Sequence, residues 1–345
     1  TMSSNQPFIS IIIPHWNGID ILSECLDSLK KSTYEDKEII VVDNASTDGS
    51  QAWIKENHPE ITLIENDDNY GYAGGCNRGV SSAKGDWLLF LNNDTIQESD
   101  WLEHLANSVS GQDDIAAAQP KIRNYYKRKL FDYAGGAGGH IDLFCYPFAK
   151  GRIFLEQEED NGQYDSAEDI FWASGTALMV RKEAFEQAGG FDEIFFAHQE
   201  EIDLCWRLQL MGKRIVFEPH AVVYHKNAVS LPMHSFQKYY LNHRNSFFML
   251  LTNYNLPLTL YFLPVRLALE FVAIAYALFK WDLRHFGAVC KSLFWLLTHP
   301  LVILKKRRSV RRVRIKYDKE VLNQFYRGSI VFAHYIRGIK KYSDL

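Results

Sequence analysis

Residues 87–101 read WLLFLNNDTIQESDW. The apolar run 87–91 stops abruptly at Asn92-Asn93-Asp94. A short apolar run bounded by turn formers fits a strand buried on both faces. After it stands a row of three oxygen-bearing side chains. Asp94 or Thr95 could simply cap the helical pattern that starts at Trp101. The sharper reading is a metal or phosphate site at a strand end.

Working outward, the same pattern recurs. Residues 9–13, 39–42 and 61–64 are short apolar, β-branched runs. They empty into Pro14-His15-Trp16-Asn17, into Asp43-Asn44-Ala45-Ser46-Thr47-Asp48, and into Asn66-Asp67-Asp68-Asn69. Between the runs, Ile21, Leu22, Cys25, Leu26 and Leu29 fall at helical spacing, as do Trp101, Leu102, Leu105 and Val109. Alternating strands and helices predict an α/β fold, a mostly parallel wound sheet with right-handed crossovers. In such a sheet the four polar clusters share the edge at the carboxyl ends of the strands, where open sheets bind ligands. One cluster is a turn; four on one edge are a site.

The chain has 345 residues, 47% hydrophobic and 23% charged, as globular proteins are. Its net charge of -4 is unevenly spread. Residues 251–345 hold 17 basic and 5 acidic residues, against 21 and 37 in residues 1–250. That split predicts two regions, one over residues 1–250 and a basic one over residues 251–345, meeting different partners. The five cysteines form no CxxC pair, which argues against a zinc site and for a reducing, cytoplasmic setting. Residues 1–7 are polar and no secretory signal is expected there. Residues 124–169, rich in glycine and tyrosine without periodicity, read as a long surface loop or a lid over the ligand edge. No GK[ST] comes after its glycines and no GxGxxG opens a helix, so neither a P-loop nor a dinucleotide fingerprint is present.

Several residues could carry chemistry. Asp43, at a strand end, could accept hydrogen bonds from a base or ribose, or could serve only its turn. The small residues in 70–79 would let backbone N–H groups approach a phosphate. Asp94 with neighbouring amide oxygens suits a hard cation such as Mg²⁺, completed by a diphosphate. In 198–208 (HQEEIDLCWRL) three acids open a helix, more than the helix dipole alone explains. A carboxylate there, beside a ligand, could act as a general base. His225, ending the strand-like 221–224, is either structural or a ligand.

Six stretches together resemble the family-2 inverting glycosyltransferases, in the branch with rhamnosyltransferase-like members that build bacterial cell-surface polysaccharide. They are FISIIIPHWNG (8–18), IIVVDNASTDGS (39–50), NYGYAGGCNRG (69–79), LFLNNDT (89–95), GTALMVRKEAFEQAGGFDEIFF (175–196) and EEIDLCWRL (200–208). The resemblance implies a GT-A fold, a nucleoside-diphosphate-sugar donor and Mg²⁺ or Mn²⁺. It implies Asp43 at the nucleotide base, with Pro14, Trp16, Asn17, Asn44, Asn69, Gly71, Gly74, Asn77, Asn92, Asn93 and Arg207 around the donor. Asn92-Asn93-Asp94 takes the place of the family's DxD motif, leaving Asp94 as metal carboxylate with His225 as an additional ligand. Glu201 stands at the catalytic-base position, with Glu200 as its rival. Trp172, Gly175 and Trp206 would face the acceptor, a glycan or lipid-linked glycan. The sequence departs from the family at Asn92, where an acid is usual, and at Glu201, where aspartate is common. The alternatives are a sugar-nucleotide nucleotidyltransferase, whose Gly-rich, Arg-containing loop after the first strand is missing, and a non-catalytic sugar-nucleotide-binding protein.

Residues 255–280 are strongly apolar but contain Arg266 and Glu270, each costing roughly 2.5–3.5 kcal/mol at a bilayer centre. A clean span is therefore disfavoured. A second apolar stretch, 286–304, precedes Lys305-Lys306-Arg307-Arg308, Arg311, Arg312 and Arg314. Apolar faces beside a basic run fit peripheral association with the inner face of the cytoplasmic membrane. The other readings are a helical cap on the catalytic domain and a homodimer contact. Nucleic acid is not expected, because the catalytic domain is acidic.

Overall fold

The computed structural model describes residues 6–227, 232 and 234–345. Its first half is built as the periodicity predicts. Strands β1 (Ile9–His15), β2 (Lys37–Asp43), β3 (Thr62–Glu65) and β4 (Trp87–Leu91) alternate with helices α1 (Ile19–Lys30), α2 (Ser50–Asn57) and α3 (Gly71–Val80). The four strands are parallel, in the order β3-β2-β1-β4. Registers pair His15 with Asp43 and Asp43 with Glu65, so the polar clusters end level on one edge.

The chain continues through β5 (Thr95–Gln97), α4 (Trp101–Val109) and β6 (Ile115–Asn124). Then come four short strands, β7 (Gly139–Ile141), β8 (Pro147–Ala149), β9 (Arg152–Ile153) and β10 (Glu156–Gln157), followed by β11 (Glu168–Asp169) and β12 (Ala177–Arg181). Helices α5 (Lys182–Ala188) and α6 (Glu200–Leu210) and strand β13 (Arg214–His225) complete the sheet region. The main sheet runs β11-β13-β6-β12-β4-β1-β2-β3, with β5 on β13. It is mixed, because β12 lies antiparallel between β4 and β6. Both faces are covered. Along β4, Leu88 and Phe90 enter one cluster with Phe185, Phe191 and Ile202, while Trp87, Leu89 and Leu91 enter another with Leu22, Leu26, Trp101 and Leu105. Strict alternation between two apolar layers explains why β4 is apolar at every position.

Residues 124–169 are not a surface loop. Strands β7–β10 form a small antiparallel sheet, and the glycines that suggested mobility are packed. A Cβ on Gly139 would stand 2.0 Å from the Trp172 ring. Only glycine fits there, and a glycine chosen for contact leaves no periodic signature.

The remainder is helical: α7 (Phe236–Asn253), α8 (Leu256–Phe279), α9 (Leu283–Thr298), α10 (Pro300–Val313), α11 (Asp318–Val321) and α12 (Ile330–Tyr335). The expected boundary at 250/251 falls within α7, and the core runs on unbroken from Phe90 through Phe248 to Leu296 and Phe325. The apolar stretch 286–304 is two helices, α9 and α10, bent by 74° at a break before Pro300. In α8, Arg266 and Glu270 are fully buried and paired at 2.6 Å, with Glu270 also 2.7 Å from His243. The charges that counted against a clean transmembrane span therefore face the protein. The basic run is split likewise. Lys306 is buried against Asp203 (2.7 Å) and Asp192 (2.9 Å), and Arg307 bonds the Leu251 carbonyl, while Lys305, Arg308, Arg311 and Arg312 are exposed.

Candidate active site

At the carboxyl edge of the parallel strands one residue keeps an unused bonding capacity. Asp43 ends β2 fully buried; its Oδ2 accepts from the Ser46 N–H (3.0 Å) and from Gln51 Nε2 (2.6 Å). Its Oδ1 is buried without a partner. A buried carboxylate oxygen with no donor is costly unless a ligand supplies one. Asn17, at φ 55°, is fixed beside it: its N–H donates to Ser46 Oγ (2.8 Å) and its Oδ1 accepts from the Thr47 N–H (2.9 Å). Pro14 is half-buried and Trp16 exposed at this rim.

Asp94 and His225 meet at the end of β4 and β13. His225 Nε2 lies 3.1 Å from Asp94 Oδ1, and its Nδ1 2.9 Å from Asp132 Oδ1. Burial opposes the imidazolium, but the two carboxylates win and push the His225 pKa up to about 10. Nothing in the sequence pattern marks Asp132. It fixes the ring so that Nε2 faces Asp94, the arrangement by which a carboxylate orients a metal-binding histidine. Among the described residues no group of three or more His, Cys, Asp or Glu forms a cage that could hold an ion. A divalent ion would fit this donor set by taking the Asp94 carboxylate and, with its Nε2 proton displaced, the His225 imidazole, completed by donor phosphates. Asn92 is half-buried with its Nδ2 3.5 Å from His225 Nε2.

The other half of the site is the head of α6. Phe196, His198 and Gln199 all have positive φ (63°, 67° and 72°). Non-glycine residues rarely hold this region, and a run of them is strain kept in place by surrounding contacts. Those contacts come from α7. Asn245 Nδ2 donates to the carbonyls of Phe195 (3.3 Å), Ala197 (3.1 Å) and His198 (2.7 Å), and Arg244 donates to those of Ile194 (2.6 Å) and Phe195 (3.1 Å). Asn245→Ala removes the donor to three of that turn's carbonyls and is expected to lower the unfolding free energy by about 1–3 kcal/mol. Urea denaturation measures it; an unchanged midpoint would mean the turn holds itself.

The turn delivers Glu200 and Glu201 into α6. Glu200 is 4% exposed with Oε2 unpartnered, and burial, then the charge of Glu201, drives its pKa well up. Glu201 is half-buried with its own Oε2 unpartnered. Burial raises it to about 7, restrained by backbone N–H groups including those of Gln199 and Gly175. The Gly175 carbonyl also accepts from Tyr72 Oη at 2.6 Å, so the β12 entrance, α3 and α6 meet at this carboxylate.

Several expected ligand contacts are structural instead. Asn93 turns inward, donating to His15 Nδ1 (2.8 Å), and His15 Nε2 reaches Ser50 Oγ (2.8 Å). Asn44 donates to the Gly71 carbonyl and accepts from Asn66. Asn69 accepts from the Gly71 N–H, and Asn77 both donates to and accepts from the Phe191 backbone. Gly71 and Gly74 serve packing: a Cβ would meet the Phe196 carbonyl at 2.5 Å and Tyr70 Cβ at 2.7 Å. Arg207 is buried on Asp203 (2.9 Å) and donates to the carbonyls of Ala188 (2.6 Å) and Gly190 (2.8 Å), so it cannot hold the donor. Trp206 is a core residue against Phe171, Tyr254 and Phe325, and Trp172 is buried with Nε1 on the His140 carbonyl. Neither presents a face to an acceptor.

Residues 10–189, just over half of the chain, match the family model described as Glycosyl transferase family 2. The chain belongs to that family. An N-acetylglucosaminyl-diphospho-decaprenol L-rhamnosyltransferase of Mycobacterium tuberculosis is 28% identical over 225 residues, 61% of this chain and 73% of the relative. The crystal structure of GalNAc-T7 with UDP, GalNAc and Mn2+ superposes with a TM-score of 0.56 at 17% identity, over 70% of this chain but only 48% of that one. The mannosyltransferase PcManGT from Pyrobaculum calidifontis, in complex with GDP-Man and Mn2+, gives 0.52 at 18% identity over 93% and 85%. The family-2 enzyme described here thus has the GT-A glycosyltransferase fold with a helical C-terminal region.

Proposed function

We propose that this glycosyltransferase moves a sugar, rhamnose or another hexose, with inversion from a nucleoside diphosphate to a hydroxyl of a lipid-linked glycan. The product belongs to cell-surface polysaccharide. The observation that carries the reading is the oriented Asp94–His225 pair at the strand ends, in a chain whose α6 head also holds the half-buried Glu201 with an unpartnered Oε2. Asp43 Oδ1 and the rim of Pro14, Trp16 and Asn17 take the nucleotide. Asp94 and His225 would hold Mg²⁺ or Mn²⁺, which when bound would stabilise charge on the departing nucleoside diphosphate. Glu201 accepts the acceptor's proton as that oxygen bonds to the anomeric carbon and the diphosphate leaves from the opposite side. One base suffices and no covalent intermediate forms. Glu200, sealed and neutral, shapes the pocket beside it. Transfer assays over UDP-, GDP- and dTDP-sugars test the reading. Release of pyrophosphate would mean a nucleotidyltransferase, and donor binding without any transfer a binding protein.

The reading includes the inner face of the cytoplasmic membrane. Helix α8 has the length and hydropathy to cross a bilayer, yet only 22% of its most apolar window is buried once Arg266 and Glu270 turn inward. Phe271, Phe279 and Trp281 are 61%, 79% and 86% exposed, and α10 adds four exposed cations. An apolar face flanked by basic residues lies flat on an anionic surface, with roughly 1 kcal/mol per cation from the charge. The helical region 251–345 then docks the catalytic domain of residues 1–250, with α7 running across the boundary. Phe271→Asp with Phe279→Asp is expected to cut flotation with phosphatidylglycerol vesicles about ten-fold or more, with donor binding unchanged. Full flotation of the double variant would remove the membrane from the scheme and favour a homodimer or an internal cap.

A further inference from the structure

Arg152 and Lys238 are 9% and 6% exposed, and both lie against one ring. The Tyr133 centroid is 4.5 Å from Arg152 Cζ and 5.4 Å from Lys238 Nζ. Arg152 Nε is buried without a partner, and one of its terminal nitrogens reaches the Phe154 carbonyl at 3.3 Å. Among the described residues neither cation pairs with a carboxylate, and residues 1–5, 228–231 and 233 contain no Asp or Glu. The two cations act on each other: burial, then the charge of Arg152, lowers the Lys238 pKa. Next to them His198 is held neutral by burial and by Lys238, and its Nε2 is buried with no partner.

Burying a cation without a counter-ion is expensive, and burying two together more so. The surroundings say what sort of anion relieves them. Tyr133 comes directly after Asp132, which orients His225, and His198 precedes Glu201 by three residues, so short stretches of chain tie the pair to both halves of the active site. On its other side the surface is apolar. Phe154 packs its ring on His334 (5.0 Å) and Tyr335 (5.3 Å), Tyr335 meets Tyr276 of α8 at 6.3 Å, and Phe332 and Ile336 are exposed beside them. A ligand with phosphate at one end and hydrocarbon at the other fits this sequence of surfaces.

We propose that Arg152 and Lys238 form the subsite for the diphosphate of an acceptor linked to a lipid through that diphosphate, its hydrocarbon running over α12 toward α8. The proposal rests on the reading of the chain as a transferase to lipid-linked glycans. Farnesyl diphosphate, inorganic pyrophosphate, farnesol, nucleoside diphosphates and phosphatidylglycerol vesicles are titrated onto the full chain and onto Arg152→Gln, Lys238→Gln and the double variant. Farnesyl diphosphate and pyrophosphate affinity are expected to fall about ten-fold or more in each single variant, farnesol and nucleoside-diphosphate affinity to stay constant, and the thermal midpoint not to fall. If a glutamine variant misfolds, Lys238→Met, which keeps the buried stem, must show the same loss. Unchanged farnesyl diphosphate binding overturns the subsite. So does an equal loss of nucleoside diphosphate, which would give the pair to the donor, or an equal loss of vesicle binding, which would give it to lipid headgroups. A wild-type chain that binds no nucleoside diphosphate defeats the transferase reading itself; one that binds it while the variants are indifferent defeats only the subsite.

Discussion

Glu201→Gln lowers the turnover number by about 10²–10⁴-fold while nucleoside-diphosphate affinity stays that of the wild type. The size comes from the role. Glutamine keeps the shape and the hydrogen bonds that a neutral carboxyl makes but cannot take a proton. The pH profile separates this role from a structural one. Burial raises the Glu201 carboxyl to about 7, and the base is its ionised form, so wild-type turnover falls as pH drops through about 7 and rises above it. Glu201→Gln loses that limb. Glu200 titrates in concert with Glu201, but burial and its neighbour's charge keep it protonated. Glu200→Gln imitates the protonated acid and retains most of the turnover. Parallel assays of both variants from about pH 5.5 to 8.5 decide the assignment. A dead Glu200→Gln beside an active Glu201→Gln would move the base by one residue, and a wild-type profile flat through neutrality would exclude both.

Much of this arrangement is legible in the chain because ligand-facing residues of a parallel sheet stand where elements end. Asp43 and His225 each close a strand, Asp94 stands three residues past one, and Glu201 opens a helix, positions that apolar runs reveal directly. The misreadings have equally physical causes. Nearness in sequence to Glu201 puts Trp206 and Arg207 at the ligand. At about 100° per residue, five and six positions on, a helix has turned those side chains to other faces, and both enter the core. The antiparallel insertion of β12 is invisible because a strand buried on both faces reads alike in either direction. Asp132, Arg152 and Lys238 escape for a different reason. They come from a short connection, a two-residue strand and a helix of no marked amphipathicity, and only the fold brings Arg152 and Lys238 onto one ring. Asn92, Asn93 and Asp94 divide three ways: Asn93 supports His15, Asn92 borders the cleft, and Asp94 faces His225.

That division leaves a single carboxylate where two acids are usual, and it makes Asp94 the side chain with most to lose. Asp94→Ala is expected to reduce divalent-ion-dependent turnover by about 10²-fold or more, since a metal contributes several kcal/mol to stabilising the leaving charge. The same donor set predicts how the ion arrives. One carboxylate and one imidazole make a weak site alone, so Mn²⁺ binding to the wild type should be strongly enhanced by nucleoside diphosphate, and the enhancement should vanish in Asp94→Ala. Asp132 supplies the internal control. Asp132→Asn keeps the volume but removes the charge that orients His225, and a loss of about 10–100-fold in Mn²⁺ affinity is expected from an outer-shell change of this kind. Titrating Mn²⁺ with and without nucleoside diphosphate, by its paramagnetic signal, measures both. Turnover that persists in excess EDTA, or Mn²⁺ binding indifferent to Asp94, would leave stabilisation of the departing diphosphate to protein groups alone. His225, held between two carboxylates that push its pKa up to about 10, would then be a cation at this strand end able to provide it.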